Sequence, residues 1–193
     1  MGYTGFERLW LFFAFSFFGW VLETVTAAVR QRRFVNRGLV NGPFCVLYGI
    51  TGTAMLVVCR ELHGIWLFLG SMIFSTLAEW IAGHVLERMY HERWWDYSHM
   101  KWNLDGYICV PVSIVWGVLG AATMRWGAPV LVRVFRMLPR TPGHLIVWIL
   151  AAVLAMDVTA TLCILSGRSR RIRQWEGVDS WLTGVSSRLG RKI

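Results

Sequence analysis

Three carboxylates interrupt long apolar runs in this chain: Glu23, Glu79 and Asp157. A charged side chain at the centre of a membrane helix costs roughly 2.5–3.5 kcal/mol even on lenient insertion scales, so such residues turn toward the interior of a helix bundle. Three acids in one low-dielectric layer cannot all stay ionised without cations. They must share protons, pair with arginine or bind a ligand cation. Arg30, Arg37, Arg88, His84 and His91 are near enough in sequence to serve. Glu23 with Glu79 is the leading pair. The plainer alternative is a structural polar network that ties helices together.

Two loops add chemistry beside these acids. Residues 34–49, FVNRGLVNGPFCVLYG, set Asn36, Arg37, Asn41 and Tyr48 among three glycines and a proline, a composition suited to tight turns and close backbone approach. Residues 87–106, ERMYHERWWDYSHMKWNLDG, hold Glu87, Asp96, Tyr97, Ser98 and Asn103, more polar groups than a connector needs. Trp94, Trp95 and Trp102 suit an interfacial aromatic belt. His84, Glu87 and His91 stand at i, i+3 and i+7, a spacing that puts three metal-ligand types on one helical face. Neither HExxH nor a paired ExxH set occurs, so we expect no metal and no cofactor. Nucleophile-elbow and phosphate-loop motifs are also missing. An ATP-driven process would need a separate subunit.

The elements that must position these residues are membrane helices. Of 193 residues, 55% are hydrophobic and 16% charged, too apolar for a soluble domain of this length. Five apolar stretches stand out: Leu9 to Val29, Phe44 to Cys59, Ile65 to Gly83, Tyr107 to Met124 and Leu145 to Leu165. A hydrocarbon core of about 30 Å needs about 20 helical residues. The second stretch is short and starts beside Asn41-Gly42-Pro43, so it is expected to tilt little, to borrow Leu39 and Val40, or to begin as a broken segment. The fold class is therefore all-α, a polytopic bundle of about five transmembrane helices over residues 1–166, followed by a basic amphipathic tail over 167–193. Residues 128–138 form a second amphipathic segment, in which Arg133 and Arg136 interrupt aliphatics, as in helices lying on an anionic membrane surface.

With five spans the termini lie on opposite sides. Fourteen of the 20 lysines and arginines fall on the side of the 30–43 and 84–106 loops and the tail, which the positive-inside rule makes cytoplasmic. The N-terminus then faces out, the C-terminus lies in the cytoplasm, and the expected location is the inner (cytoplasmic) membrane. All three acids come to lie about 6–12 Å from the cytoplasmic boundary. The net charge of +9 follows membrane-flanking cations rather than a nucleic-acid face, so nucleic acid is excluded and membrane lipids are expected partners. Cys45, Cys59, Cys109 and Cys163 have no CxxC or zinc-like spacing and read as small buried hydrophobes. The first apolar run is too long for a removable signal peptide.

Several motifs carry a family resemblance. They run from Phe17-Phe18-Gly19-Trp20 and Glu23, through Phe34-Val35-Asn36-Arg37-Gly38, Gly42-Pro43 and Tyr48-Gly49, to Glu79, Gly83 and Leu86-Glu87. Trp95-Asp96-Tyr97-Ser98, Asn103, Gly106, Cys109 and Trp116-Gly117 complete the set. Over about residues 10–120 the chain resembles a bacterial membrane family catalogued as putative ABC-transporter type IV permeases. The resemblance implies a compact multi-helix membrane protein of transporter type.

The expected function is substrate handling by a transporter-type membrane subunit. Glu23 and Glu79 would bind a cation, proton or polar headgroup, and Arg37 and Asn36 an anionic group. Asp96, Tyr97 and Asn103 would line or gate the entrance, with Tyr48, Glu87 and Asp157 completing the candidate site. So few helices predict either self-association or a separate ATPase subunit. The rival reading is an intramembrane enzyme or binding protein that acts on a lipid or amphipathic substrate by carboxylate acid-base chemistry.

Overall fold

The computed structural model describes residues 2–32, 42–91 and 93–165. Asn36, Arg37 and the basic tail 167–193 lie outside them. Helix α1 covers Gly5–Gln31, α2 Val46–Val58, α3 Gly64–Tyr90, α4 Val110–Ala122, α5 Ala128–Met137 and α6 Arg140–Leu165. A two-stranded antiparallel hairpin, β1 (Asn103–Leu104) and β2 (Ile108–Cys109), sits between α3 and α4.

Four segments are long and apolar enough to cross a membrane: Gly5–Val29, Gly64–Arg88, Val110–Met137 and Arg140–Thr161. The chain is thus an all-α, multi-pass membrane protein. Large apolar side chains such as Trp126, Leu145, Trp148 and Ile149 are exposed, as expected where lipid rather than protein is the solvent.

Helix α1 begins with a capping box: the Thr4 hydroxyl accepts from the Glu7 main-chain N–H, and the Glu7 carboxylate accepts from that of Thr4. The buried Glu7 also takes the Arg136 guanidinium at 2.6 Å, which pins the end of α5 to the start of α1.

The amphipathic segment 128–138 does not lie free on the membrane surface. It continues α4 as α5, through a π-helical turn at Thr123–Gly127. Pro129 has no N–H to give the preceding turn, and the Ala128 N–H reaches back to the Thr123 carbonyl instead. The apolar face of α5 has found a protein partner. Ala128 and Val132 pack with Leu11 and Phe15 of α1, and the Trp10 indole donates to the Leu131 carbonyl at 2.9 Å. The fourth span therefore runs to Met137, well beyond the expected end at Met124.

The second span is broken. Helix α2 has only 13 residues, about 20 Å at 1.5 Å per residue. Its start lies well inside the bundle, because the Cys45 N–H donates to the Ser16 carbonyl at 2.9 Å. Ser16 is fifteen residues back along α1 from Gln31, about 22 Å of helix. Irregular backbone at such depth must find protein partners. Here it does: the Gly42 N–H donates to Asp157 Oδ2 at 2.7 Å, and the Phe44 N–H to the Gly42 carbonyl at 2.8 Å.

From that start α2 runs antiparallel to α1 in very close contact. A Cβ on Gly19 would fall 2.3 Å from the Tyr48 ring, and one on Gly49 2.1 Å from the Ser16 hydroxyl oxygen. Helices α3 and α4 approach similarly at Gly117 and Gly120, which meet Phe68, Met72 and Ser71. Small residues at such crossings let backbones approach where no hydrophobic effect drives helices together.

Candidate functional site

Glycine contacts between α1 and α2, and between α3 and α4, bring two carboxylates into one polar group. Glu23 lies six residues before the apolar end of α1 at Val29, and Glu79 nine residues before that of α3 at Arg88. These separations are about 9 and 14 Å of helix. The Tyr48 hydroxyl donates to Glu23 Oε1 at 2.6 Å. Seating Tyr48 against Gly19 aims it one helical turn farther along α1, at Glu23. The Tyr48 ring meets Trp116 edge-on, centroids 5.8 Å apart. The Trp116 indole N–H donates to Glu79 Oε2 at 3.0 Å, and the Tyr97 hydroxyl to Glu79 Oε1 at 3.2 Å. One continuous group therefore runs Glu23, Tyr48, Trp116, Glu79, Tyr97.

Every described hydrogen bond to these two carboxylates comes from a neutral donor. None of the ion pairs among the described residues includes Glu23 or Glu79. An arrangement of this kind can hold a shared proton or a cation.

Asp157 Oδ2 accepts the Gly42 N–H, in the turn from which α2 starts. Of the candidate residues on the 87–109 segment, Tyr97 alone reaches a membrane carboxylate through a described bond. Asp96 Oδ1 accepts the Ser98 N–H at 2.9 Å, a local turn that holds the Asp96 carboxyl below its usual range. Asn103 spans the hairpin: its amide donates to the Met100 carbonyl at 2.7 Å, and its oxygen accepts the Gly106 N–H at 3.1 Å. The Trp95 indole donates to the Tyr107 carbonyl at 2.9 Å, so it braces the loop, while Trp102 is exposed. Burial, and then the charge of Glu79, push the Tyr97 hydroxyl above its ordinary value.

Glu87 anchors the same loop to α3. Its Oε1 accepts Arg93 Nε at 3.2 Å, and its Oε2 takes the Tyr107 hydroxyl. The Arg93 guanidinium lies 4.8 Å over the Tyr107 ring, and the Glu87 bond raises the Tyr107 hydroxyl. In this geometry Glu87 is already engaged by Arg93 and Tyr107 and His91 caps the helix at φ 57°, so His84, Glu87 and His91 do not stand as three free ligands on one helical face. Among the described residues no group of three metal-ligating side chains is placed to hold an ion.

Two members of the site escaped the list of candidate residues, Trp116 and Tyr107. Each looks like ordinary apolar filling, yet a tryptophan N–H or tyrosine O–H inside a membrane protein needs an acceptor. That need was the available signal.

Comparison with curated proteins and with solved structures finds no match. A family model does match, over residues 10–162, which takes in every helix that builds the Glu23–Glu79 group. On that match the chain belongs to the family described as Putative ABC-transporter type IV.

Proposed function

We propose that this chain is the membrane subunit of a transporter and that Glu23 and Glu79 together hold its proton or small cation. The observation that carries the reading is the donor set. The two carboxylates of one connected polar group accept only from the neutral donors Tyr48, Trp116 and Tyr97 among the described residues. In a low-dielectric bundle such a pair is stable when it shares a proton or binds a cation.

In this reading the N-terminus faces out, the C-terminus lies in the cytoplasm, and the pair sits in the cytoplasmic half. Tyr97 is the contact between the pair and the cytoplasmic loop, Asp96 and Asn103 keep the Tyr97 loop in shape, and Asn36 and Arg37, outside the described residues, are assigned an anionic group of the substrate. Energy from ATP would come from a separate ATPase subunit, since the chain has no phosphate-loop motif.

Infrared difference spectroscopy on the purified full chain tests this without knowledge of the substrate. A carboxyl band that responds to pH or to added sodium is expected in the wild type. Glu23→Gln and Glu79→Gln should each remove or shift it while circular dichroism stays helical. An unchanged band in Glu79→Gln overturns the proposal.

A further inference from the structure

We propose that the outer face at the C-terminal end of α3 binds an anionic phospholipid, with its phosphate at Arg88 and its acyl chain along α3. The site is distinct from the Glu23–Glu79 group and does not depend on it.

An open depression of ≈ 300 Å³ is lined by His84, Glu87, Arg88, His91 and Tyr107. Its depth in the membrane is set by α3, whose apolar span ends at Arg88. That is the level at which headgroups meet basic side chains.

The one acid in the lining is already engaged, with Arg93 on Oε1 and the Tyr107 hydroxyl on Oε2. Arg88, in contrast, has no acid partner among the described residues. His84 is held in place beside it. Its Nδ1 is 3.0 Å from the Trp80 carbonyl, and its ring lies 4.3 Å from Trp80 and 4.1 Å from Tyr107. With Nδ1–H donated to that carbonyl, Nε2 can donate to a phosphate oxygen only from the doubly protonated ring. His91, as the helix cap, has spent its main-chain N–H on the Glu87 carbonyl. A guanidinium with two imidazoles is a donor set suited to phosphate oxygens. The helix end carries a partial negative charge that opposes an anion. Arg88, in the last turn, offsets it.

The apolar neighbourhood argues for a lipid rather than free phosphate. Ile73, Leu77, Ile81 and Val85 are all exposed and recur every four residues. At 100° per residue they form one ridge along α3 that ends at Arg88. A headgroup at Arg88 would leave its acyl chain lying on that ridge. The shape and charge together match an amphiphile.

Native mass spectrometry of the purified full chain, equilibrated with phosphatidylglycerol or phosphatidylcholine, tests the proposal. The wild type should retain one phosphatidylglycerol and discriminate against phosphatidylcholine. Arg88→Gln should weaken that retention by at least about tenfold, as expected for losing a charge-assisted bond, and Arg88→Lys should restore part of it. His91→Gln gives a second variant should Arg88→Gln fold poorly. Arg133→Gln, an exposed arginine on α5, should change nothing. Equal retention by wild type and both site variants overturns the proposal, and so does equal retention of the two lipids. Inorganic phosphate that displaces phosphatidylglycerol at millimolar concentration would assign the site to free anions and also overturn it.

Discussion

Asp157 Oδ2 accepts the main-chain N–H of Gly42 at 2.7 Å, so a carboxylate on α6 holds the turn from which α2 begins. Gly42 and Asp157 are 115 residues apart in the chain. The contact is tight, since a Cβ on Gly42 would fall 2.9 Å from the same oxygen. Irregular backbone deep in a membrane bundle is stable only when its polar groups are satisfied, and an acid beside it meets that need.

Asp157→Ala should therefore act as a folding mutation. Leaving a buried main-chain N–H without its acceptor costs about 1–3 kcal/mol, to be read from thermal unfolding in detergent. Asp157→Asn keeps a carbonyl oxygen there and should recover much of that loss. The carboxyl infrared band assigned to Glu23 and Glu79 should survive in Asp157→Asn; loss of the band in a stably folded variant would place Asp157 in the ion site instead.

Gly19→Ala should disturb the site from outside it. The new methyl would meet the Tyr48 ring at 2.3 Å and push its hydroxyl off Glu23. Overpacking of this kind costs about 1–3 kcal/mol. Tyr48→Ala removes the obstacle, so the double variant should be more stable than the two single losses predict by addition. Strict additivity in a double-mutant cycle contradicts the close contact.

Tyr97→Phe deletes the hydroxyl that ties the hairpin loop to Glu79 while keeping the ring. The expected stability loss is about 0.5–1.5 kcal/mol, with faster amide exchange concentrated between residues 95 and 109. Exchange that is unchanged in this loop would mean that the bond does not hold it.

The Asp96 turn predicts the response of the loop to acid. Its carboxyl is held below the ordinary aspartate range, first by the Ser98 main-chain N–H. A depressed folded value means that the bond supports the loop fully above the unfolded value and is lost as pH falls through the lower folded one. Exchange at the Ser98 amide should thus stay protected, after correction for intrinsic rates, from neutrality down to about pH 4, and rise only in stronger acid. Asp96→Asn should flatten this acid step. A step centred near neutral pH would contradict the assignment.

Much of the architecture was legible in residue order. Long apolar runs announced the four full spans, and the brevity of Phe44 to Cys59 beside Gly42-Pro43 announced a second helix too short to cross alone. The Glu23–Glu79 pairing was also within reach, because each acid's distance from its span end can be counted in residues per turn. The continuation of α4 into α5 was harder to see. Arg133 and Arg136 gave residues 128–138 a surface-helix pattern, and an amphipathic stripe does not say whether lipid headgroups or another helix will cover it. Here α1 covers the apolar side, and Glu7 neutralises Arg136.

What the amino-acid sequence by itself determined is the solvent: a chain this apolar is a multi-pass membrane bundle. Hydropathy acts locally, so it can be counted along the chain. What only the tertiary structure decided is how the polar groups divide. Glu23 and Glu79 are joined through Tyr48, Trp116 and Tyr97, while Asp157 turns to main chain and Asp96 and Asn103 to their own loop. All these acids present the same chemistry in isolation. Which donor each one meets depends on how closely neighbouring helices approach, and that is set by glycines such as Gly19 and Gly49 at the crossing of α1 and α2.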